Sequence, residues 1–100
     1  MTDMPVKIEY VREQIDSLDQ RIVNLIAERQ RWVIVAGALK RNADAVRAPQ
    51  RVEQVLAKVR SLAGTAGASP DVVERTYREM IAAFIELELA HHLEDAPESR

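Results

Sequence analysis

The feature that most constrains this chain is a helical seam near its start that is too long for a protein of this size to cover by itself. Apolar residues recur at Ile8, Val11, Ile15, Leu18, Ile22 and Leu25, then at Trp32, Ala36 and Leu39. Their steps alternate between four and three, broken only between 25 and 32, which is the spacing of a coiled-coil face. No proline interrupts residues 8 to 41, and at about 1.5 Å per residue such a helix measures roughly 50 Å. A compact chain of 100 residues has a radius of gyration of about 13 Å and a width of roughly 35 Å. The helix overhangs, and the overhang calls for another subunit. Size points the same way, because so short a chain buries only about 65% of its unfolded surface.

The rest of the pattern is helical too. Pro49 opens a second helix with Val52, Val55, Leu56, Val59 and Leu62 on one face, and Gly64 stops it. Gly64 to Ala68 reads as a loop, after which Ser69 caps and Pro70 opens a third helix. Its inward residues are Val73, Tyr77, Met80, Ile81, Phe84 and Leu87, and it runs to about Leu93. The polar tail from Glu94 to Arg100, with Pro97 inside it, is expected to fray. No segment alternates with period two between hairpin turns, and no internal repeat occurs. The expected fold is all-α: a three-helix protomer with one very long N-terminal helix, a single domain over residues 1–100 with its core at about 6–93.

Composition removes several kinds of chemistry. Fourteen Lys and Arg against sixteen Asp and Glu leave a net charge of −2, which supplies no basic field for a nucleic-acid backbone. The chain has no Cys, so disulfides, thiolate metal sites and cysteine nucleophiles are excluded. His91 and His92 are adjacent with no second pair to complete a zinc site, and no metal is expected. They are explained more simply as cations near a helix C-terminus. There is no stretch of eighteen uncharged apolar residues and no basic start followed by an apolar run. The expectation is a cytoplasmic protein without membrane contact.

The informative residues are those that break the seam. A step of four from Leu25 lands on Arg29, where a guanidinium stands in the place of a leucine. Burying it without an anion costs several kcal/mol, so it needs either a ligand or a carboxylate such as Glu28 or Glu88. Lys40 follows eleven residues later, almost three turns on, which puts both cations on one line about 16 Å apart with open space at Ala36 and Gly37. Arg12 lies about 100° around the helix from Arg29 and suits the pocket of an antiparallel partner rather than its own. In the third helix Tyr77, Ile81, Phe84 and Glu88 form a row that ends an apolar stripe in a carboxylate. The plain alternative is a solvated Glu88 near the helix end. Arg51 stands in the first turn of the second helix, against the helix dipole and so without a stability reason. Trp32, on the seam, reads as core or subunit interface. Two or three cations and an apolar-walled carboxylate suggest a small dianionic ligand.

These residues resemble a known family. The stretch Val11-Arg12-Glu13-Gln14-Ile15-Asp16-Ser17-Leu18-Asp19, then Leu25-Ile26-Ala27-Glu28-Arg29 and the interval to Lys40, is similar to the first helix of the all-helical chorismate mutases. The likeness continues through Ala48-Pro49-Gln50-Arg51-Val52 and, in pattern, the third helix. It implies an intertwined homodimer with two sites, each completed by the long helix of the other chain. By the same resemblance, Arg29 and Arg12 of the partner subunit would grip the two carboxylates of chorismate. Lys40 and Glu88 would donate to the ether oxygen of the breaking C–O bond, and Arg51 would sit beside the ring. The reaction, a Claisen rearrangement to prephenate, needs no cofactor. Glu88 donates only when protonated, so the rate is expected to fall as the pH rises toward neutrality.

Two positions depart from the mutase pattern. Val52 follows Arg51 where many mutases have Glu, and Phe84 stands where a small Ser can occur. The string from Ala48 to Val52 instead looks like the isochorismate pyruvate-lyase branch, which forms salicylate and pyruvate, although those lyases carry Gln at the position of Glu88. A mutase acting on an amino analogue of chorismate is a third reading. A helical dimerisation module whose seam cations make only salt bridges is a fourth, from a different class.

Overall fold

The computed structural model describes the backbone of residues 6–95 and the side chains of residues 6–91. All regular structure within it is helical: α1 (Ile8–Ala38), α2 (Ala43–Arg47), α3 (Pro49–Ala66) and α4 (Pro70–Asp95). The three long helices are those the periodicity predicts, and the all-α protomer with a long N-terminal helix is what the chain forms. The chain divides at Trp32 and Val33 into two compact units. No helix among the described residues is long and apolar enough to cross a membrane.

The first unit holds most of α1, and its seam is bare. Ile15, Leu18, Ile22 and Leu25 are each about half exposed or more, and Trp32 is 69% exposed. The core reading of Trp32 therefore fails within this chain.

In the second unit α4 packs against both α3 and α2. The buried apolar residues are Val46, Leu56, Val59, Ala63 and Ile81. Leu62, expected inward, is 56% exposed, and Ala63 takes the buried place. One position along a helix turns a side chain by about 100°, enough to carry Leu62 off the face set by Leu56 and Val59.

Several bounds differ from the sequence reading. Short α2 falls between the first two predicted helices. Asn42 initiates it, with extended backbone and a side chain that accepts from the Ala45 N–H at 2.9 Å. The helix exists because Val46, only 2% exposed, has a core to enter. The α3 helix passes through Gly64 and ends at Gly67, whose φ of 80° no ordinary residue adopts cheaply and whose N–H donates back to the Ala63 and Gly64 carbonyls. Ser69 caps α4 as expected, its Oγ accepting from the Val72 N–H at 3.3 Å. That helix continues to Asp95 rather than ending at about Leu93, while the remainder of the expected tail, with Pro97, lies outside the described residues.

Charges fasten α3 to α4 on their exposed side. Arg60 donates to Asp71 at 2.8 Å and to Glu74 at 2.9 Å. Glu74 also accepts from Arg78 at 2.9 Å, and Arg78 reaches Glu53 of α3 at 3.6 Å. Hydrogen bonds from Arg78 and then Arg60 hold the Glu74 carboxyl below the usual carboxylate range. A lowered folded-state value means that the contribution of Glu74 is complete above the usual range and fades as the pH falls through the lowered one. Melting temperature is expected to stay level from pH 7 to about 5 and to drop below that, with a shallower drop in Glu74→Gln. A second expectation concerns α2: Val46→Ala should lower unfolding free energy in urea by about 2 kcal/mol, because a nearly sealed side chain leaves a cavity.

Candidate active site

The site is set by two termini and one helix face. On α4 the row Tyr77, Ile81, Phe84 and Glu88 turns inward: Ile81 is buried, Tyr77 and Phe84 are half-buried, and Glu88 is 8% exposed. A solvated Glu88 is overturned, since its carboxyl lies against Gly37 at the end of α1. A carboxyl removed from water to that degree requires a partner.

Lys40 supplies it. Its Nζ donates to Glu88 Oε2 at 3.0 Å, with the two side chains 27% and 7% exposed. The route by which Lys40 arrives differs from the sequence expectation. Helix α1 ends at Ala38, and the Leu39 and Lys40 N–H groups donate to the Ala36 and Gly37 carbonyls, each at 3.1 Å. These bonds span three residues and tighten the final turn. Lys40 therefore does not extend the helical line of Arg29; it is aimed by a turn.

The open space expected at Gly37 is filled. Gly37 is buried, and the Glu88 carboxyl lies so close that a Cβ at Gly37 would stand 3.1 Å from Oε2. Sequence reasoning located the gap and missed its occupant, because nothing local says that a side chain 51 residues away will enter it.

The other expected residues distribute as follows. Arg29 is half-buried on α1, with Nη1 shut away from solvent. Arg12 is exposed on the same helix. Arg51 is exposed in the first turn of α3, and Val52 beside it is half-buried, donating its N–H to the Ala48 carbonyl at 3.1 Å. Ala48 takes a left-handed conformation, φ 35°, between α2 and α3. That turn directs the start of α3 and with it Arg51. Phe84 precedes Glu88 by one turn on the same face of α4. His91 is exposed on α4, and the side chain of His92 lies outside the described residues. Among the described residues no group of three or more His, Cys, Asp or Glu side chains gathers to hold a metal ion.

Chemically, the second unit thus presents an ammonium and a carboxyl in contact at the end of an apolar row, an arrangement that can bind and polarise an oxygen. Within the first unit, Arg29 carries a guanidinium with one nitrogen withdrawn from water. Comparison with known proteins meets this geometry. The T-protein of Enterobacter agglomerans is 32% identical over 79 residues, which cover 78% of this chain and 21% of that protein. The chain thus spans about a fifth of the length of this relative. The family model described as chorismate mutase type II matches residues 11–89, a span that contains Arg12, Arg29, Lys40, Arg51, Val52, Phe84 and Glu88. This chain belongs to the chorismate mutase type II family.

Proposed function

We propose that the chain is a chorismate mutase, one domain over residues 1–100 that works as a homodimer and rearranges chorismate to prephenate. The observation that carries this reading is the Lys40–Glu88 pair, 3.0 Å apart and largely withdrawn from water, in a chain of the mutase family. The rearrangement breaks a C–O bond while a C–C bond forms within one molecule. Its transition state gathers negative charge on the ether oxygen, so donors preplaced around that oxygen lower the barrier. An ammonium has three donors, so the bond from Lys40 to Glu88 does not prevent another to substrate. Glu88 adds a second donor when one of its oxygens carries a proton.

Holding the substrate's two carboxylates fixes the compact conformer from which reaction occurs. Arg29 suits one carboxylate, since a guanidinium partly withdrawn from water binds an anion strongly. Arg12 of the partner subunit takes the other, and Arg51 approaches the ring with Val52 and Phe84 beside it. The bare seam of α1 supports the dimer, because exposed apolar rows of that length associate. Sedimentation should return twice the 11.3 kDa chain mass.

The test is to supply chorismate and isochorismate separately, following prephenate in one case and salicylate with pyruvate in the other. Prephenate as the main product supports the mutase. Salicylate as the main product would assign the chain to the lyase branch that the string ending in Val52 resembles. Arg29→Ala and Lys40→Ala are each expected to lower kcat/KM at least about 100-fold with the assembly intact. If these variants alter only assembly and the unchanged protein forms neither product, a dimerisation module is the better account. Glu88→Ala is expected to lower kcat/KM with the assembly intact, and an unchanged rate in that variant removes Glu88 from the chemistry.

A further inference from the structure

Gly37 is buried one residue before the end of α1, and nothing in its backbone calls for glycine. Its φ lies outside the positive range that only Gly67, among the glycines, occupies. An alanine would suit the helix better on propensity. The space around the other two glycines is open, with nothing within 4 Å of a Cβ built at Gly64 or Gly67. At Gly37 the same Cβ would meet Glu88 three times over, at 3.1 Å from Oε2, 3.4 Å from Cγ and 3.5 Å from Cδ. The Gly37 carbonyl also accepts from the Lys40 N–H at 3.1 Å. One residue therefore touches both members of the ion pair: Lys40 through its backbone, Glu88 through the absence of a side chain.

We propose that Gly37 is a positioning residue that seats the Glu88 carboxyl on Lys40 by leaving no atom between α1 and the carboxyl. The inference rests on the mutase reading for its effect on rate and on geometry alone for its effect on the pair. A contact of 3.1 Å is too tight to keep, and the atom that gives way is the far end of a flexible side chain rather than backbone. The chain with Gly37→Ala therefore folds as before while Oε2 moves by a few tenths of an ångström away from its seat. A catalytic group displaced by about 1 Å loses about 100-fold in rate, so a smaller displacement of one donor of two is worth about tenfold.

The experiment compares the unchanged chain, Gly37→Ala, Glu88→Ala and the double variant in the chorismate assay, with melting temperature and the ¹³C resonance of the Glu88 carboxyl carbon. Gly37→Ala is expected to melt no lower than the unchanged chain. Its kcat should fall about tenfold with KM changed by less than about twofold, and the Glu88 resonance should shift. Combined with Glu88→Ala it should add no further loss, because its effect passes through that carboxyl. An unchanged kcat, or an equal loss with and without Glu88, overturns the proposal. If the unchanged chain does not rearrange chorismate, the mutase reading fails by itself. The resonance then decides the geometric claim: a shift on Gly37→Ala sustains it and an unmoved resonance overturns it.

Discussion

A carboxyl held away from water beside an ammonium is the constraint around which the second unit is arranged. Glu88 is 8% exposed, and desolvating a carboxylate without compensation costs several kcal/mol. Compensation demands that Lys40 reach it, that α1 stop in time for the chain to turn, and that Gly37 carry no side chain in the way. The bonds that tighten the end of α1, the bare α-carbon and the 3.0 Å ion pair are three parts of one solution. Such a pair is a poor source of stability compared with apolar packing. Its presence next to the apolar row of α4 is better understood through the work a polarising donor can do on a bound oxygen.

The core proper lies elsewhere and is small. Val46, Leu56, Val59, Ala63 and Ile81 carry it, and the Arg60 and Arg78 network fastens α3 to α4 outside it. Exposed ion pairs add little each, but two arginines sharing Glu74 constrain one another's geometry. On α1, by contrast, the apolar residues have no core within their own unit. A helix of 31 residues, about 46 Å long, that keeps Ile15, Ile22 and Leu25 half exposed or more fits the proposed dimer. Small chains reach sufficient burial in this way when one protomer cannot.

Much of this was legible in the sequence because it depends on spacing alone. The three-and-four rhythm predicts the long helices, and the proline and serine positions predict two of their starts. The breaks in the rhythm pick out Arg29 and Lys40. The helical line does not extend through Lys40, because α1 ends at Ala38 and Lys40 occupies the turn beyond it. Gly64 suggests a helix end because glycine commonly is one, yet the residue with the positive φ is Gly67. The five-residue α2 helix is too short for periodicity to register. Spacing alone leaves Glu88 either on the apolar row or in solvent, and its contacts with Gly37 and Lys40 decide for the row.

By itself, then, the sequence determined what is local: which stretches are helical, which face of each is apolar, and which positions carry charge against that pattern. Those follow from a fixed angle per residue and from the chemistry of each side chain. The tertiary structure decided which distant residues meet. That Glu88 enters the space at Gly37 and takes Lys40 as its partner follows from where the fold places α4 beside the end of α1. No spacing rule connects position 88 with 37 and 40, because the physical link between them is a contact made only when distant parts of the chain come together.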